Sequence, residues 1–335
     1  MRYCYTKLLV KIISVSYCQY SNKHLSSQIM PILITGGAGF IGSHLVSALV
    51  ARGDTVRVFD NLSSGTETNL TGLDIELVVQ DIRDENAVVQ AMEGVDTVIH
   101  LAAFVSVPAS MEDPATCYET NVMGSLNILH AAKQAGVRRV VLASSAAVYG
   151  ERDEIVSEID TPIHVSPYAA SKLSMEHLAQ MFSRAYGLET VCLRFFNVFG
   201  PRQSPDSPYA AAIPRFTQDL IDKNQVTILG DGSQTRDFVY IEDVVQGIIK
   251  ASEVDGVGGE VYNLAGGKSL SILELVGILH RFFPEAREPK YGPARKGDIH
   301  FSQANIEKAI RSLGYRPEVS VEEGLRHTVE WFRAQ

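Results

Sequence analysis

The sequence predicts an α/β protein in which a doubly wound parallel sheet is joined by a smaller, interleaved α/β lobe. From Met30 onward, short apolar runs typical of buried strands alternate with longer runs of helical period. The stretch 31–45 opens this alternation and reads PILITGGAGFIGSHL, a strand followed by a glycine-rich turn and the start of a helix. The length of 335 residues is more than one small domain needs and suits two lobes.

Three glycines at three-residue spacing form the turn of this first unit. Gly36, Gly39 and Gly42 follow a short apolar run, and a helical run begins at Phe40. Glycine lets the backbone approach a ligand closely, and the N–H groups at a helix start bind phosphate. Glycines alone would indicate only turns. Because a strand and a helix flank them here, they predict a dinucleotide site.

The first half of the chain continues the alternation. The predicted strands are Thr55–Asp60, Ile75–Asp81, Asp96–Ala103 and Arg139–Ser145, and the predicted helices lie near Glu85–Met92, Pro114–Ala135 and Pro167–Tyr186. Ligands of such sheets bind beyond the carboxyl ends of the strands. The polar residues at those ends are therefore candidates for the site: Asp60, Asp81, Ser144 and Ser145.

The second half is less regular and predicts the smaller lobe. Strands are expected at Thr190–Gly200, Val226–Gly230, Asp237–Ile241 and Glu260–Ala265, and S-x-x-E capping boxes at Ser271–Glu274 and Ser320–Glu323. We expect residues 30–195 to form the dinucleotide-binding domain, with segments near 237–265 returning to it, and residues 196–335 to form mainly the substrate-binding lobe. Residues 1–29 are interpreted as an extension or flexible tail with no assigned function.

Two acidic residues point to the nature of the dinucleotide. Asp60 lies 24 positions after Gly36, close to the offset of roughly 20 at which a carboxylate accepts hydrogen bonds from an adenosine ribose. A carboxylate there repels a 2′-phosphate, so NAD is favoured over NADP. Asp81 is expected to accept from the adenine amino group, although an aspartate there also serves simply as a cap.

Composition and charge exclude several other classes of protein. A net charge of −9, from 30 basic and 39 acidic side chains, disfavours nucleic-acid binding. Four cysteines without a C-x-x-C pair, and nine histidines without metal-ligand spacing, argue against a metal site and a disulfide framework, so a cytoplasmic location is expected. The apolar run 8–15 is too short to span a bilayer, and no membrane partner is expected.

The segment 166–172, SPYAASK, carries a candidate proton-transfer pair. If Pro167 opens a helix, Tyr168 and Lys172 share one face. A tyrosine that acts as a base near neutral pH needs its pKa lowered by about three units, or about 4 kcal/mol. An ammonium group about 4 Å away supplies about that much at an effective dielectric constant of about 20. Ser144 and Ser145 are expected to bridge to the same hydroxyl; the alternative is an amphipathic tyrosine beside a solvated lysine.

These motifs together resemble the extended short-chain dehydrogenase/reductases, specifically the NAD-dependent sugar-nucleotide epimerases and dehydratases. The resemblance runs from Met30 almost to the C-terminus and is greatest to the UDP-hexose 4-epimerases that act on N-acetylhexosamines. It rests on GGAGFIGSHL (36–45), IHLAA (99–103), ASSAAVYG (143–150), SPYAASK (166–172), RFFNVFGPRQ (194–203), GDGSQTRDFVYIEDV (230–244) and KGDIHFSQANIEKA (296–309). It implies a Rossmann-type fold.

The resemblance also implies roles for individual residues. Tyr168 would be the base on the sugar O4, Lys172 would tune it and hold the nicotinamide ribose, and Ser145 would complete the triad. NAD would be lined by Gly36, Gly39, Phe40, Ile41, Gly42, Asp60, Asn61, Asp81, Ile82, Leu101, Ala102, Ala103, Asn121, Tyr168 and Lys172. The UDP-sugar would be bound by Ser106, Ser145, Tyr168, Asn197, Arg236, Arg295, Asp298 and Ser302.

The implied reaction is an isomerisation through a 4-keto sugar and transient NADH, in which the sugar turns before hydride returns to its other face. Related dehydratases carry an Asp-Glu pair where this chain has Ala146 and Ala147, and related decarboxylases carry a glutamate at the second position. Small Ser302 stands where a tyrosine restricts the pocket to plain hexoses, so UDP-GlcNAc and UDP-GalNAc are favoured, with UDP-glucose and UDP-galactose also accepted.

Some features leave alternatives open. Val105 stands where some plain-hexose epimerases have a lysine. The alternatives are another sugar-nucleotide enzyme of the family (a dehydratase, decarboxylase or reductase) and a non-catalytic NAD-binding sensor. Relatives are commonly homodimers, so we expect the helical runs Pro114–Ala135 and Pro167–Tyr186 to pair with those of a second copy in a four-helix bundle.

Overall fold

A computed structural model describes residues 30–206, 211–294 and 299–335 of the chain. Its centre is a seven-stranded, wholly parallel sheet in the order β10-β6-β5-β4-β1-β2-β3. This arrangement confirms the doubly wound α/β fold. The strands are β1 (Ile32–Thr35), β2 (Val56–Asp60), β3 (Glu76–Val79), β4 (Thr97–His100), β5 (Arg139–Ser145), β6 (Glu189–Phe195), β7 (Asn197–Phe199), β8 (Thr227–Leu229), β9 (Thr235–Tyr240), β10 (Glu260–Leu264), β11 (Ser269–Ser271) and β12 (Lys290–Gly292).

Helices cover both faces of this sheet. They are α1 (Phe40–Arg52), α2 (Glu85–Ala91), α3 (Val107–Glu112), α4 (Pro114–Tyr118), α5 (Ser125–Ala135), α6 (Pro167–Tyr186), α7 (Ala212–Ile221), α8 (Ile241–Glu253), α9 (Ile272–Phe282), α10 (Glu307–Leu313) and α11 (Val321–Arg333). Successive residues of a strand face opposite sides. Ile34 therefore packs in one apolar core with α1 and α8, whereas Leu33 packs in the other with α2, α5 and α6.

The smaller lobe is built on two short sheets and is tied together by one buried carboxylate. β9 pairs in parallel with β7 and antiparallel with β11, and β12 pairs with β8. Asp237 in β9 is fully buried, and its two oxygens accept from the backbone N–H groups of Gly266 (2.8 Å), Gly267 (3.2 Å) and Ala304 (3.0 Å). Asp237 thereby holds the segment that carries Ser302 against the sheet.

Several predicted elements differ from the structure. The expected strand Thr190–Gly200 is two strands, β6 and β7, which belong to different sheets and are interrupted at Phe196. The expected helix Pro114–Ala135 contains a π-helical turn at Glu119–Gly124 between α4 and α5. β3 is one of the two edge strands of the central sheet and is only half-buried, since no strand pairs with its outer side within the described residues.

The segment near 237–265 divides between the two lobes. β9 belongs to the small three-stranded sheet, whereas β10 pairs with β6 at the edge of the central sheet. Of the two predicted capping boxes, Ser271 and Glu274 form both reciprocal bonds. At Ser320 the structure shows only the serine half, which accepts from the N–H of Glu323.

Two classes of feature are not found in the described part of the chain. None of its helices is both long and apolar enough to cross a bilayer. Nor does it bring together three histidine, cysteine or acidic side chains in a way that could hold a metal ion.

Candidate active site

The glycine turn between β1 and α1 leaves no space for side chains. A Cβ atom on Gly42 would lie 2.1 Å from the carbonyl oxygen of Gly36, and one on Gly36 would lie 2.6 Å from the backbone nitrogen of Ala102. Gly36 also has a φ of +71°, which disfavours other residues. No side chain caps α1 at Gly39, so the start of the helix can meet a ligand directly. This cradle fits the pyrophosphate of a dinucleotide.

Asp60 supports the same turn from the end of β2. Its side chain is buried, and its oxygens accept from the backbone N–H groups of Ala38 (2.9 Å) and Leu62 (2.8 Å). The residue lines the cleft, and a carboxylate oxygen that accepts one bond retains capacity for another. The predicted contact with ribose hydroxyls is compatible with this position and stays a prediction.

Asp81 has a different environment from the one expected. It does not line the cleft, and its carboxylate accepts from Nε (2.9 Å) and Nη2 (2.8 Å) of Arg83 and from Nδ2 of Asn61 (2.9 Å). The hydrogen bonds from Arg83 hold the pKa of Asp81 well below its usual range. Asn61 lines the cleft, and Asp81 orients it through their hydrogen bond. The predicted contact of Asp81 with an adenine stays a prediction.

Tyr168, Lys172 and Ser145 come together at the end of β5. Ser166 caps α6, and Pro167 begins the helix as predicted. Tyr168 and Lys172 lie one turn apart and are buried, and the Ser145 hydroxyl is hydrogen-bonded to the Tyr168 side chain. Lys172 Nζ donates to the carbonyl oxygen of Ala143 at 2.8 Å and lies 6.0 Å from the Tyr168 ring centre.

The electrostatics of this pair correct one prediction. Burial raises the pKa of Tyr168 above its ordinary value, and only the Ser145 hydrogen bond acts to lower it. Burial also lowers the pKa of Lys172, to about 8. The ammonium group is bonded to Ala143 and does not offset the cost of burying a phenolate. Lys172 is not among the groups that shift the pKa of Tyr168, so the predicted lowering by the lysine is not observed in this structure.

Ser144 is used elsewhere. Its hydroxyl donates to Glu176 Oε1 at 2.5 Å, deep in the contact between β5 and α6. The structure does not support the prediction that Ser144 also reaches the substrate hydroxyl. Ser145 is the serine whose side chain meets Tyr168.

One cleft of about 1100 Å³ collects most of the predicted residues. Those that line it are Gly36, Gly39, Phe40, Ile41, Gly42, Asp60, Asn61, Ile82, Leu101, Ala102, Ala103, Ser144, Ser145, Tyr168, Lys172 and Asn197. An adjoining cavity of about 200 Å³ is lined by Arg236 and Ser302 and shares Ser145 and Asn197 with the cleft. Arg295 and Asp298 lie outside the described residues.

Two predicted ligand contacts act instead through the loop that follows β4. Asn121 is buried; its Oδ1 accepts from the N–H of Phe104 at 2.7 Å, and its Nδ2 donates to the Phe104 carbonyl and to Ser171 Oγ. Ser106 caps α3 by accepting from the N–H of Ala109 at 3.2 Å. Neither residue lines the cleft. Asn121 holds Phe104, in the loop that also carries the cleft-lining Ala102 and Ala103. The predicted ligand contacts of Asn121 and Ser106 stay predictions.

Sequence reasoning missed other parts of the cleft wall. Arg202 lines the cleft with a φ of +64°, and burial lowers its pKa. The motif RFFNVFGPRQ contains this arginine and could have identified it. Trp331 in α11 also lines the cleft, but its helical surroundings gave no signal because they follow an ordinary amphipathic pattern.

Comparisons with known proteins agree with this geometry. Residues 32–265 match the NAD dependent epimerase/dehydratase family. A UDP-glucose 4-epimerase of Mycolicibacterium smegmatis is 38% identical, over 91% of this chain and 99% of that protein. The structure of a UDP-N-acetylglucosamine 4-epimerase from Methanobrevibacter ruminantium, in complex with UDP-N-acetylmuramic acid, is 38% identical with a TM-score of 0.88, over 91% and 99% of the two chains.

Other similar proteins bear on the cofactor and on the reaction. A UDP-glucose 4-epimerase of Thermus thermophilus, solved with NAD, is 36% identical with a TM-score of 0.83, over 91% of this chain and 99% of that one. A UDP-N-acetyl-alpha-D-glucosaminuronate decarboxylase of Bacillus cytotoxicus is 35% identical, over 90% and 97% of the two proteins. The cofactor is NAD, whereas sequence similarity of this degree extends to more than one reaction.

The glycine turn yields a direct prediction. In Gly42→Ala, the new methyl group meets the backbone of Gly36 and Gly37, which cannot move without opening the turn. We expect at least a tenfold loss of NAD affinity by titration calorimetry, together with a lower melting temperature. Gly277→Ala is the control, because a Cβ there meets nothing within 4 Å in the middle of α9. Unchanged NAD affinity in Gly42→Ala would contradict the assignment of the glycine turn as the dinucleotide site.

Proposed function

The chain belongs to the NAD-dependent epimerase/dehydratase family, and from that premise we propose that it is a UDP-sugar 4-epimerase. Its proposed substrates are UDP-GlcNAc and UDP-GalNAc, with UDP-glucose and UDP-galactose also accepted. The observation that carries this proposal is the group formed by the buried Tyr168 and Lys172 and the half-buried Ser145, at the junction of the large cleft and the smaller cavity. We further propose that residues 30–195 hold NAD and that residues 196–335 mainly hold the substrate.

The residues of this group suit proton exchange at the sugar O4. Tyr168 exchanges the proton, and Ser145, which is hydrogen-bonded to the phenol, orients the same hydroxyl. NAD, when bound, supplies a positively charged ring that accepts a hydride from C4 and returns it. A cation in the cleft favours the phenolate form of Tyr168, which burial alone disfavours. Lys172, anchored to the Ala143 carbonyl, presents an ammonium group to the cleft.

The residues after Ser145 favour epimerisation over the other reactions of the family. Ala146 and Ala147 line the smaller cavity at the start of a 3₁₀ turn that Ser145 caps. An alanine can neither donate nor accept the proton that water elimination requires. Epimerisation needs the tyrosine and the cofactor, and it needs no acid or base at positions 146 and 147.

The smaller cavity supports the choice of substrate. Ser302 lines it together with Asn197 and Arg236, and its side chain is half-buried. A serine leaves room there that a large residue would fill, which suits a 2-acetamido group. Asn197 Nδ2 donates to the Asp237 carbonyl, and Arg236 Nη1 donates to the Ile299 carbonyl at 2.6 Å, so both side chains are anchored at the wall of this cavity.

The exposed faces of the helices around α6 suit association with a second copy. Large apolar side chains there are solvent-accessible, with exposed fractions of 40% for Tyr118, 51% for Met123, 39% for Met181 and 54% for Tyr186. Apolar residues grouped on one surface mark interaction sites. We propose a homodimer in which these helices pair with their counterparts in a four-helix bundle.

The reaction itself is tested by incubating the purified protein with UDP-GlcNAc or UDP-glucose without an added hydride acceptor. We expect UDP-GalNAc and UDP-galactose to form, resolved by chromatography or NMR. Tyr168→Phe should lower turnover by about 10² to 10⁴-fold while NAD stays bound, because only the exchangeable proton is removed. If neither sugar gives a 4-epimer, the proposal of epimerisation is contradicted. A non-catalytic sensor would keep its own function in Tyr168→Phe, whereas an epimerase would lose nearly all turnover. Formation of UDP-galactose alone would keep the mechanism and overturn the substrate choice.

The size argument is tested by Ser302→Tyr. The larger side chain should fill part of the smaller cavity, so turnover of UDP-GlcNAc should fall at least tenfold relative to that of UDP-glucose. Ser302→Ala is the matched control and should keep the wild-type ratio of the two kcat/KM values. An equal loss for both sugars in Ser302→Tyr would show that the residue does not select by size.

The dimer proposal is tested by light scattering after size exclusion. The wild-type protein should have twice the 36.7 kDa mass of one chain. Met123→Arg should shift it toward the monomer, because an unpaired charge would be buried between the helices. Ile159→Arg is the control, since Ile159 is 93% exposed in the loop before α6. A wild-type mass of one chain would overturn the proposal.

A further inference from the structure

A buried carboxylate lies one helical turn beyond the catalytic lysine. Glu176 in α6 is only 2% exposed. Its Oε1 accepts from Ser144 Oγ (2.5 Å) and from Arg194 Nε (2.8 Å), and its Oε2 accepts from Arg194 Nη2 (2.7 Å). These contacts join α6 to β5 and β6. The reaction proposed above uses neither member of this ion pair.

The ion pair is part of the electrostatic environment of Lys172. The titratable groups that face the lysine from the elements around it are Tyr168 and Glu176 on α6, Cys117 on α4, His100 on β4 and Cys192 on β6. Arg194 on β6 pairs with Glu176. Burial raises the pKa of both thiols and of the tyrosine, and lowers that of His100 to about 3, so these four groups are neutral at pH 7.

Glu176 is therefore the negative charge that opposes the burial of the Lys172 ammonium group among the described residues. Burial lowers the pKa of Lys172, and Cys117, Cys192 and Glu176 act in the opposite direction. The two thiols are neutral at pH 7, which leaves the carboxylate of Glu176 as the charged group of the three. Arg194 compensates the carboxylate through two parallel hydrogen bonds, and its guanidinium lies 4.7 Å from the centre of the Tyr149 ring. A buried carboxylate needs such a partner, so removing either residue alone would leave a buried charge unpaired.

The same carboxylate also reaches the reacting groups through the backbone of β5. Three consecutive residues at the end of this strand make three different contacts: Ala143 accepts from Lys172, Ser144 donates to Glu176, and Ser145 is bonded to Tyr168. Successive side chains of a strand point to opposite faces with fixed spacing. The hydrogen bond that holds Ser144 therefore also places its neighbours Ala143 and Ser145. Fixing Ser144 thus places both partners of the catalytic pair.

We propose that Glu176 is a positioning residue for the Tyr168–Lys172 pair: it keeps Lys172 an ammonium ion and, through Ser144, holds the end of β5 that carries Ser145. This inference rests on the function proposed above only in naming the pair as catalytic. The carboxylate acts by two separable routes, one through its charge and one through its hydrogen bond to Ser144.

The charge route is tested by the pH dependence of Lys172 acylation in cofactor-free protein. Acetic anhydride labelling at a series of pH values, followed by peptide mass spectrometry, gives the titration midpoint of Lys172 without any sugar substrate. Glu176→Gln should lower this midpoint by about one pH unit, and the alkaline limb of the turnover profile should move with it. An unchanged midpoint would overturn the proposal.

Two variants separate the routes, and one serves as a matched control. Ser144→Ala keeps the charge and removes the tether, so kcat should fall while the Lys172 midpoint stays. Glu189→Gln breaks the comparable pair between Glu189 and the buried Arg139 at the other end of β5 and β6. It should lower the melting temperature without moving the midpoint. A shift in Glu189→Gln as large as that in Glu176→Gln would assign the effect to general destabilisation and overturn the proposal.

If Glu176→Gln does not fold, the double variant Glu176→Gln, Arg194→Met leaves no buried charge unpaired and should still lower the midpoint. A wild-type midpoint in the double variant would overturn the charge route. Labelling does not depend on turnover. Absence of epimerase activity would therefore overturn the proposed function while the titration of Lys172 still decides the role of Glu176.

Discussion

The close approach of backbone segments at the glycine turn is the constraint on which the rest of the structure depends. Gly36 and Gly42 lie so near each other, and Gly36 so near Ala102, that no Cβ atom fits at either glycine. This contact places α1 directly at the carboxyl end of β1 and beside the loop that follows β4. The cleft opens where these elements meet, and the ends of β2 and β5 form its other walls.

Behind this turn, buried polar groups are satisfied by one another and keep the cleft wall in place. Thr35 Oγ1 and Ser125 Oγ lie 2.7 and 2.9 Å from the two ring nitrogens of His100. Burial lowers the pKa of His100 to about 3, so the ring is neutral and presents one donor and one acceptor. Asn121 continues this network to Phe104. In the other lobe, Asp237 accepts hydrogen bonds from Gly266 and Ala304 and so holds the segment that carries Ser302.

Most of the candidate site could be predicted because its residues follow local rules. The glycine turn, Asp60 and the Tyr168–Lys172 spacing each need only a strand end or one helical turn to be placed. Asp81 and Ser144 also end strands, yet their side chains are taken by Arg83 and Glu176. No local pattern shows such a competitor, since Glu176 meets Ser144 only after α6 packs on β5.

The sequence by itself determined the alternation of strands and helices, the position of the glycine turn and the helix that carries the tyrosine and lysine. These follow from hydrophobic periodicity, glycine spacing and capping, which act over a few residues. Only the tertiary structure decided that the run 190–200 divides between two sheets, that Ser145 and not Ser144 meets Tyr168, and that the phenol has a raised pKa. Those outcomes depend on desolvation and on partners from distant elements, and neither exists before the chain is packed.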